Sequence, residues 1–388
     1  MLTSSYGQLH PRVLIVADDL TGACDAAVGF AQRGAQTQVL IDHQWTSSAS
    51  VEVRAVCTAS RDLPVQQSID RLNWIALQSA VQPHHHVFKK IDSVFRGNTF
   101  HEIRAAIDAF PGRFAIIAPS FAALGRRAIQ GVILAHDIAG ERSIPIREPL
   151  AAAGIHPTWL ASGQSATTIE RSISQCHAEG QRILFCDAET DEDLNVIVSA
   201  SQQIQEGVLW IGSGGLAHAL AANILAHRRE LDPPPSTPQK GIVVVFAGSD
   251  HPVTIRQMSA LREQHETAAS SSNLEAGNEV VIVPITLGVT TETDIRTAAT
   301  RFTANQLGCL FMTGGDTAIL VCRALGIRAL NLHREFEPGI PQATAIGGPF
   351  AGCTIILKSG GFGESEVISR IASHHKALEF SSAIGARS

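Results

Sequence analysis

Short apolar runs, each closed by a turn and followed by a longer segment with 3.6-residue apolar spacing, recur along this chain and restrict its fold more than any other feature. Val13–Ala17 precedes Cys24–Arg33, Arg54–Thr58 precedes Val65–Ala80, Val87–Ile91 precedes Phe100–Phe110, and Phe114–Pro119 follows. Ile183–Cys186, a helical Glu192–Gln205, and Val208–Ile211 before Leu216–Ala226 continue the series. Near-continuous apolar runs fit strands, and strands alternating with helices assemble as βαβ units around a largely parallel sheet. The series stops at Asp232-Pro-Pro-Pro-Ser-Thr-Pro238, where four prolines in seven residues exclude a helix and favour a stiff extended connector. It restarts with Ile242–Phe246, a helix near Val253–Glu266, Glu279–Ile285, a helix near Thr291–Asn305, and Leu310–Met312 before Thr317–Ala324. The expected architecture is two α/β domains with largely parallel sheets, residues 1–231 and 239–388, joined by the linker 232–238. Ser270–Gly277 is expected as a surface loop.

Composition narrows the function. With 30 Lys+Arg against 36 Asp+Glu the net charge is −6, which argues against a dedicated nucleic-acid binder, since neutralising phosphates needs a concentrated basic surface. The seven cysteines are scattered and form no C-x-x-C pair, so neither a disulfide framework nor a zinc site is expected. The N-terminal MLTSSYGQLHPR does not read as a secretory signal, and no apolar run reaches the ~18 residues of a membrane span. A cytoplasmic enzyme without a membrane partner is expected, and a homo-oligomer is compatible with the sequence.

Parallel α/β sheets bind ligands at the carboxyl ends of their strands, so the residues just after each apolar run carry the chemistry. The first such loop places Asp18 and Asp19 side by side at the tip of a strand, ahead of Leu20-Thr21-Gly22. A helix cap needs one such residue. Two adjacent carboxylates repel unless a cation or a substrate hydroxyl offsets them. The loop at 89–98, KKIDSVFRGN, gathers Lys89, Lys90, Asp92, Ser93, Arg96 and Gly97 at another strand exit, ahead of a helix. Arg presents a planar fork to carboxylates, Lys a mobile point charge to phosphates, and a helix start adds positive potential. Strand alternation puts Lys90 and Asp92 on one side and Lys89 on the other.

The second half supplies glycine-rich loops after strands: Gly248-Ser249-Asp250, Thr313-Gly314-Gly315-Asp316-Thr317, and Lys358-Ser359-Gly360-Gly361. Glycine lets backbone amides approach a phosphate closely. Three such loops in one domain point to a nucleotide site, although none is a P-loop or a dinucleotide fingerprint. Gly212-Ser213-Gly214-Gly215 is a fourth, divided between substrate contact and plain turn. His84-His85-His86 is expected as a surface turn, because adjacent strand residues cannot converge on one ion. The cysteines are expected to be buried and inert, with Cys24, close behind the Asp pair, the one left open.

These motifs, taken in order, resemble the four-carbon acid sugar kinases, long grouped as a domain of unknown function. The resemblance lies in IVADDLTGACDAA at 15–27, KKIDSVFRGN at 89–98, IIAPSFAALGRRAIQGVIL at 116–134, AGSDHPVT at 247–254, TGGDTA at 313–318, EPGIPQA at 337–343 and LKSGGFGE at 357–364. It implies an N-terminal substrate domain, a C-terminal nucleotide domain and an active site in the cleft between them. The implied activity is Mg2+- and ATP-dependent phosphorylation of the terminal hydroxyl of threonate, erythronate or a 3-oxo form. Nucleotide contacts are implied at Ser249, Gly314, Gly315, Asp316, Thr317, Gly360 and Gly361, and substrate contacts at Asp18, Asp19, Lys90, Asp92, Ser93, Arg96, Gly97 and Asn98. This chain departs from the family's usual pattern at Asp250-His251 and in a short segment after Val132.

The mechanism expected from these residues holds the acid's carboxylate on Arg96 and neutralises transferring charge with Lys90 and Mg2+. Asp19 is the first choice of base, with Asp316 its competitor. The rival readings are a nicotinamide-dependent dehydrogenase, which needs a dinucleotide fingerprint this chain lacks, and a non-catalytic two-lobed sugar-acid binder, for which three phosphate-type loops are superfluous.

Overall fold

The structure is a computed structural model that describes residues 13–41, 51–80, 84–137, 140–228, 240–269 and 280–375. The proline-rich linker 232–238 and the loop Ser270–Gly277 lie outside the described residues. The chain separates into two compact units, one formed by residues up to 232 together with Ala329–Arg334, the other by 233–328 and 335–388.

In the first unit the elements run β1 (Val13–Ala17), α1 (Leu20–Gln32), β2 (Thr37–Leu40), β3 (Val53–Cys57), α2 (Val65–Ser79), β4 (His86–Lys90), α3 (Thr99–Ala109) and β5 (Phe114–Ala118). They continue through β6 (Arg126–Ile129), β7 (Val132–Asp137), β8 (Gly140–Pro145), α4 (Arg147–Ala152), β9 (Thr158–Leu160), α5 (Ala166–Ala178), β10 (Ile183–Cys186), α6 (Asp191–Ser201), β11 (Val208–Gly212) and α7 (Gly214–Ile224). The strands β2-β3-β1-β4-β11-β5-β10-β9 lie in that order and pair in parallel throughout. β1, β3, β5 and β11 are buried at every residue, as expected of strands covered on both faces. Helices α2 and α3 pack together, while α1, α7, α6 and α5 pack in succession. From β1 the chain winds out through β2 and β3 and then crosses to β4 on β1's other side, so β1 marks a topological switch point, where such sheets open a ligand crevice.

Three features were not visible in the apolar rhythm. The strands β6, β7 and β8 form a separate antiparallel meander, because turns rather than helices join them. The helix expected from Cys24 begins four residues earlier, at Leu20, because Asp19 caps it with its side chain. His86 belongs to β4 rather than to a surface turn, and burial pushes its imidazole down to about 4.

The second unit contains β12 (Ile242–Ala247), α8 (Pro252–Ala269), β13 (Val280–Pro284), α9 (Glu292–Ala299), β14 (Leu307–Thr313), α10 (Gly315–Ala324), the last residues of β15 (Ala329–Glu337, of which Ala329–Arg334 belong to the first unit), β16 (Ile340–Ile346), β17 (Thr354–Lys358) and α11 (Val367–His375). Its order is β13-β12-β14-β17-β16, parallel as far as β17 and antiparallel at β16. The first residues of β15, Ala329–Asn331, pair antiparallel with β2 and so close the edge of the first unit's sheet. One core of the second unit joins Val243, Val245, Phe311 and Ile356 from the sheet to Met258 and Leu261 of α8 and Val367, Ile368 and Ile371 of α11.

Candidate active site

Four adjacent strands of the first unit, β3, β1, β4 and β11, end at one edge of the sheet, and their following residues build a buried cluster of charge. Asp19 is the N-cap of α1: its Oδ1 accepts from the Gly22 amide at 2.9 Å and its Oδ2 from the Thr21 hydroxyl at 2.8 Å. Arg61, four residues past β3, forks onto the acid pair. Its Nε and Nη2 donate to the two Asp18 oxygens at 2.7 and 3.1 Å, and its Nη1 donates to Asp19 Oδ2 at 3.1 Å. Burial opposes ionisation of Asp18, but the guanidinium outweighs it and holds the carboxyl below the ordinary range. Three carboxylates, Asp19, Asp18 and Asp92, hold the Arg61 proton against burial.

Strand alternation distributes the two lysines as expected. Lys89 turns toward α3 and pairs with Glu102 at 2.7 Å, both side chains being almost fully buried. Lys90 takes the other side, 4.0 Å from Asp25 of α1, and donates to the Ile91 carbonyl at 3.1 Å. Asp92 closes the following turn by accepting from the amides of Val94 and Arg96 and from Arg96 Nε and Nη2 at 3.1 and 2.6 Å. Burial raises its carboxyl, yet Arg96 and Arg61 carry it far below the usual range. Arg96 keeps most of its side chain in solvent. Neither its Nη1 nor the half-buried Ser93 hydroxyl meets a partner among the described residues. Gly97 has φ +68, and a Cβ there would stand 2.6 Å from the Arg61 carbonyl oxygen, so the turn requires glycine on both counts. Asn98 ties the turn to the Ser60 and Leu63 carbonyls.

Asp25 is the residue that sequence reading missed and that differs most from its neighbours. It is buried on α1, six residues past Asp19, with the start of α7 packed against it so closely that a Cβ on Gly214 would collide with Oδ2. Its Oδ1 has no hydrogen-bond partner among the described residues. Burial raises its carboxyl, with Lys90 and His218 only partly compensating. Close packing also explains the glycines of 212–215 without any ligand. Arg61 was equally unmarked, although the search after strand ends, applied to β3, leads to it. Cys24 is fully buried in α1, and all seven cysteines are buried and outside any disulfide.

In the second unit the loops after β12, β14 and β17 meet because these strands are neighbours pointing the same way. Ser249 is the pivot. A Cβ on Gly360 would strike its hydroxyl, and one on Gly314 would lie 3.4 Å from its Cβ. Thr317, buried in the first turn of α10, reaches back to Gly248. Gly314 caps α10 with φ +96 and no side chain, so Gly315 and the turn behind it begin the helix with uncapped amides. Asp316 is exposed in that turn. His251, part of the departure from the usual pattern, accepts the Val253 amide with Nδ1 at 3.2 Å, and its Nε2 lies 3.1 Å from where a Gly361 Cβ would be. Lys358, Thr254 and Gln257, none of them singled out from the sequence, form the floor of these loops. Gln257 Nε2 donates to the carbonyls of Phe362, Gly363 and Glu364 at 2.8–3.0 Å. No helix among the described residues is long and apolar enough to cross a membrane.

Two domain models match different stretches of the chain. Residues 13–154 and 150–220 match the model of a sugar-binding N-terminal domain, and residues 284–368 that of a nucleotide-binding C-terminal domain. The chain is 30% identical to a D-threonate kinase of Cupriavidus necator, over 92% of this chain and 96% of that one. It is 27% identical to a 3-oxo-tetronate kinase of Burkholderia multivorans, over 91% and 95%. Among solved structures it resembles a Salmonella typhimurium protein described as a putative tRNA synthase, with a TM-score of 0.73 over 93% of this chain and 98% of that one. At 20% identity that likeness bears on the fold alone.

Proposed function

The chain belongs to the four-carbon acid sugar kinase family, and from that premise we propose that it transfers the terminal phosphoryl group of ATP, taken as its magnesium complex, to the 4-hydroxyl of a sugar acid of the threonate, erythronate or 3-oxo-tetronate type. The observation that carries the reading is the convergence of three glycine loops on Ser249 in one unit, taken together with a buried, cation-rich carboxylate cluster within the other. The first suits a polyphosphate, because backbone amides and helix starts favour anions. The second suits a small polyhydroxy acid. Arg96 offers an unused guanidinium nitrogen to the carboxylate, while Ser93 and Gly97 border the same turn.

Transfer needs an acceptor hydroxyl that is oriented and relieved of its proton, and a polyphosphate whose charge is neutralised. Lys90 supplies the cation on the acid side. The base is better assigned to Asp25 than to Asp19. Both Asp19 oxygens are already occupied by the Gly22 amide, the Thr21 hydroxyl and Arg61, so they are committed to the helix start and the guanidinium. Asp25 has an unpartnered oxygen and an environment that strengthens its hold on a proton. In this reading the hydroxyl oxygen attacks phosphorus, its proton passes to Asp25, the bond to ADP breaks, and Asp25 later returns the proton to water. Asp19 and Asp18 hold Arg61 and the helix start in place. Asp316, exposed on α10, takes no base role and is left to the nucleotide side with Gly315 and Thr317.

A coupled ADP-release assay over D- and L-threonate, D- and L-erythronate and the 3-oxo-tetronates tests the activity, and folded protein that turns over none of them overturns it. For the base, Asp25→Asn should cut kcat by about 10²–10⁴-fold with ATP affinity unchanged. Turnover within threefold of wild type would return the role to another carboxylate.

A further inference from the structure

Lys358 ends β17 on the same face as Ile356, two residues earlier, and therefore on the side of the sheet that carries the apolar core. Its side chain is fully buried, 0% exposed, yet among the described residues no carboxylate lies within ion-pair distance of it. All three protons of its ammonium are used. Nζ donates to the Ser359 and Gly360 carbonyls, each at 2.9 Å, and to the Thr254 hydroxyl at 3.1 Å. Thr254 in turn donates to the Gly360 carbonyl at 2.8 Å and lies 3.1 Å from the Thr313 hydroxyl. A buried lysine surrounded only by neutral oxygens is costly to keep charged, and burial brings this one down to about 7.

The arrangement has a geometric effect. In a trans peptide the carbonyl and the following N–H point in opposite directions. With the carbonyls of Ser359 and Gly360 drawn inward to Nζ, the amides of Gly360 and Gly361 point away from it, in a loop whose glycines pack against Ser249 and His251. Neither amide has an acceptor among the described residues. The result is two consecutive outward N–H groups backed by a cation, a constellation suited to phosphate oxygens.

We propose that Lys358 is a positioning residue of the nucleotide site: it clamps the 359–361 backbone so that the Gly360 and Gly361 amides receive the polyphosphate, whose negative charge compensates the buried ammonium. The inference rests on the kinase reading above and adds to it a residue that does not line the loop surface.

The structure also indicates how to separate this role from ordinary support. Without Lys358 both carbonyls keep a donor, since the Phe362 amide donates to Ser359 O at 3.1 Å and Thr254 to Gly360 O. Lys358→Met should therefore fold, with a thermal midpoint equal to or above wild type, because an uncompensated buried charge is exchanged for an apolar chain of similar length. The same variant should lose affinity for MgATP and for its β,γ-imido analogue by tenfold or more, with the Michaelis constant for the sugar acid within twofold of wild type. Lys358→Gln, which keeps two N–H donors and no charge, should fall between the two. Three results overturn the inference: MgATP binding by Lys358→Met within twofold of wild type, an equal loss of affinity for ATP and for the sugar acid, or a Lys358→Met protein that does not fold. Wild-type protein that binds no nucleotide would instead overturn the kinase reading, so the two failures are told apart in the control.

Discussion

The two fully buried lysines at strand ends, Lys89 and Lys358, should respond in opposite ways to the same substitution. Lys89 Nζ donates to Glu102 Oε2 at 2.7 Å and to the Lys90 carbonyl at 2.9 Å, and both partners of the ion pair are 2–3% exposed. Among the described residues the remaining Glu102 oxygen accepts only from Ser60, at 2.5 Å. Lys89→Met thus leaves a buried carboxylate with one neutral donor. Breaking one side of such a pair costs ~3–5 kcal/mol, whereas replacing both sides with apolar groups is often neutral. In a unit of this size each kcal/mol moves the midpoint by about 2–4 °C, so the expected fall is about 6–20 °C. Tryptophan fluorescence during urea or thermal unfolding is the suitable assay, because all four tryptophans, at 45, 74, 159 and 210, belong to the first unit. The double variant Lys89→Met with Glu102→Leu should recover most of the loss. A single variant within 1 kcal/mol of wild type, or a double variant as unstable as the single, would refute the view that this lysine is present to neutralise Glu102.

The other expectations concern the first unit's cluster. Arg96→Ala removes a charged hydrogen-bond donor worth ~1.5–3 kcal/mol and should raise the Michaelis constant for the sugar acid about 10–100-fold, with that for ATP unchanged; an unchanged constant for the acid removes Arg96 from the carboxylate-binding role. Because a base works deprotonated and burial raises Asp25, kcat should climb with pH along an acid limb centred above the ordinary Asp value of about 3.9. A pH–kcat profile flat down to that value would remove Asp25 as the base. Asp18 and Asp92 titrate below their unfolded values, so the stability they contribute is complete above about pH 4 and is lost as pH falls through their folded values. Urea unfolding at a series of acid pH values reads that loss, and stability constant from pH 5 to pH 3 would contradict it.

The apolar rhythm made the parallel cores legible because a strand buried on both faces has no freedom of composition. Val13–Ala17 and Val208–Gly212 are buried at every position, and no surface requirement blurs them. The β6–β8 meander, with arginines and a glutamate on partly exposed strands, carries no such signal. Asp18, Lys90, Asp92, Ser249, Gly314 and Gly360 could be picked out because they follow strands whose ends a parallel sheet aligns. What that argument cannot supply is pairing. Alternation separates Lys89 from Lys90, but nothing local says that Lys89 neutralises a residue of the next helix while Lys90 faces one on the first.

The same limit explains Asp25 and Lys358. Asp25 sits mid-helix among alanines, where a polar residue reads as the solvent face, and only the packing of α7 over α1 buries it. Lys358 precedes a glycine loop, where a lysine reads as a direct phosphate ligand, and only the inward face of β17 turns it into a clamp behind the loop. In both cases a charged side chain occupies a position where apolar packing alone would be more stable, Asp25 with an oxygen unpaired and Lys358 with no counter-charge among the described residues. Local rules fail most informatively where a fold gives up stability for chemistry. The prior expectation for such a residue is therefore that its removal stabilises the empty protein and weakens its hold on a ligand, and the two buried lysines, one compensated and one not, put that expectation to a direct comparison within a single chain.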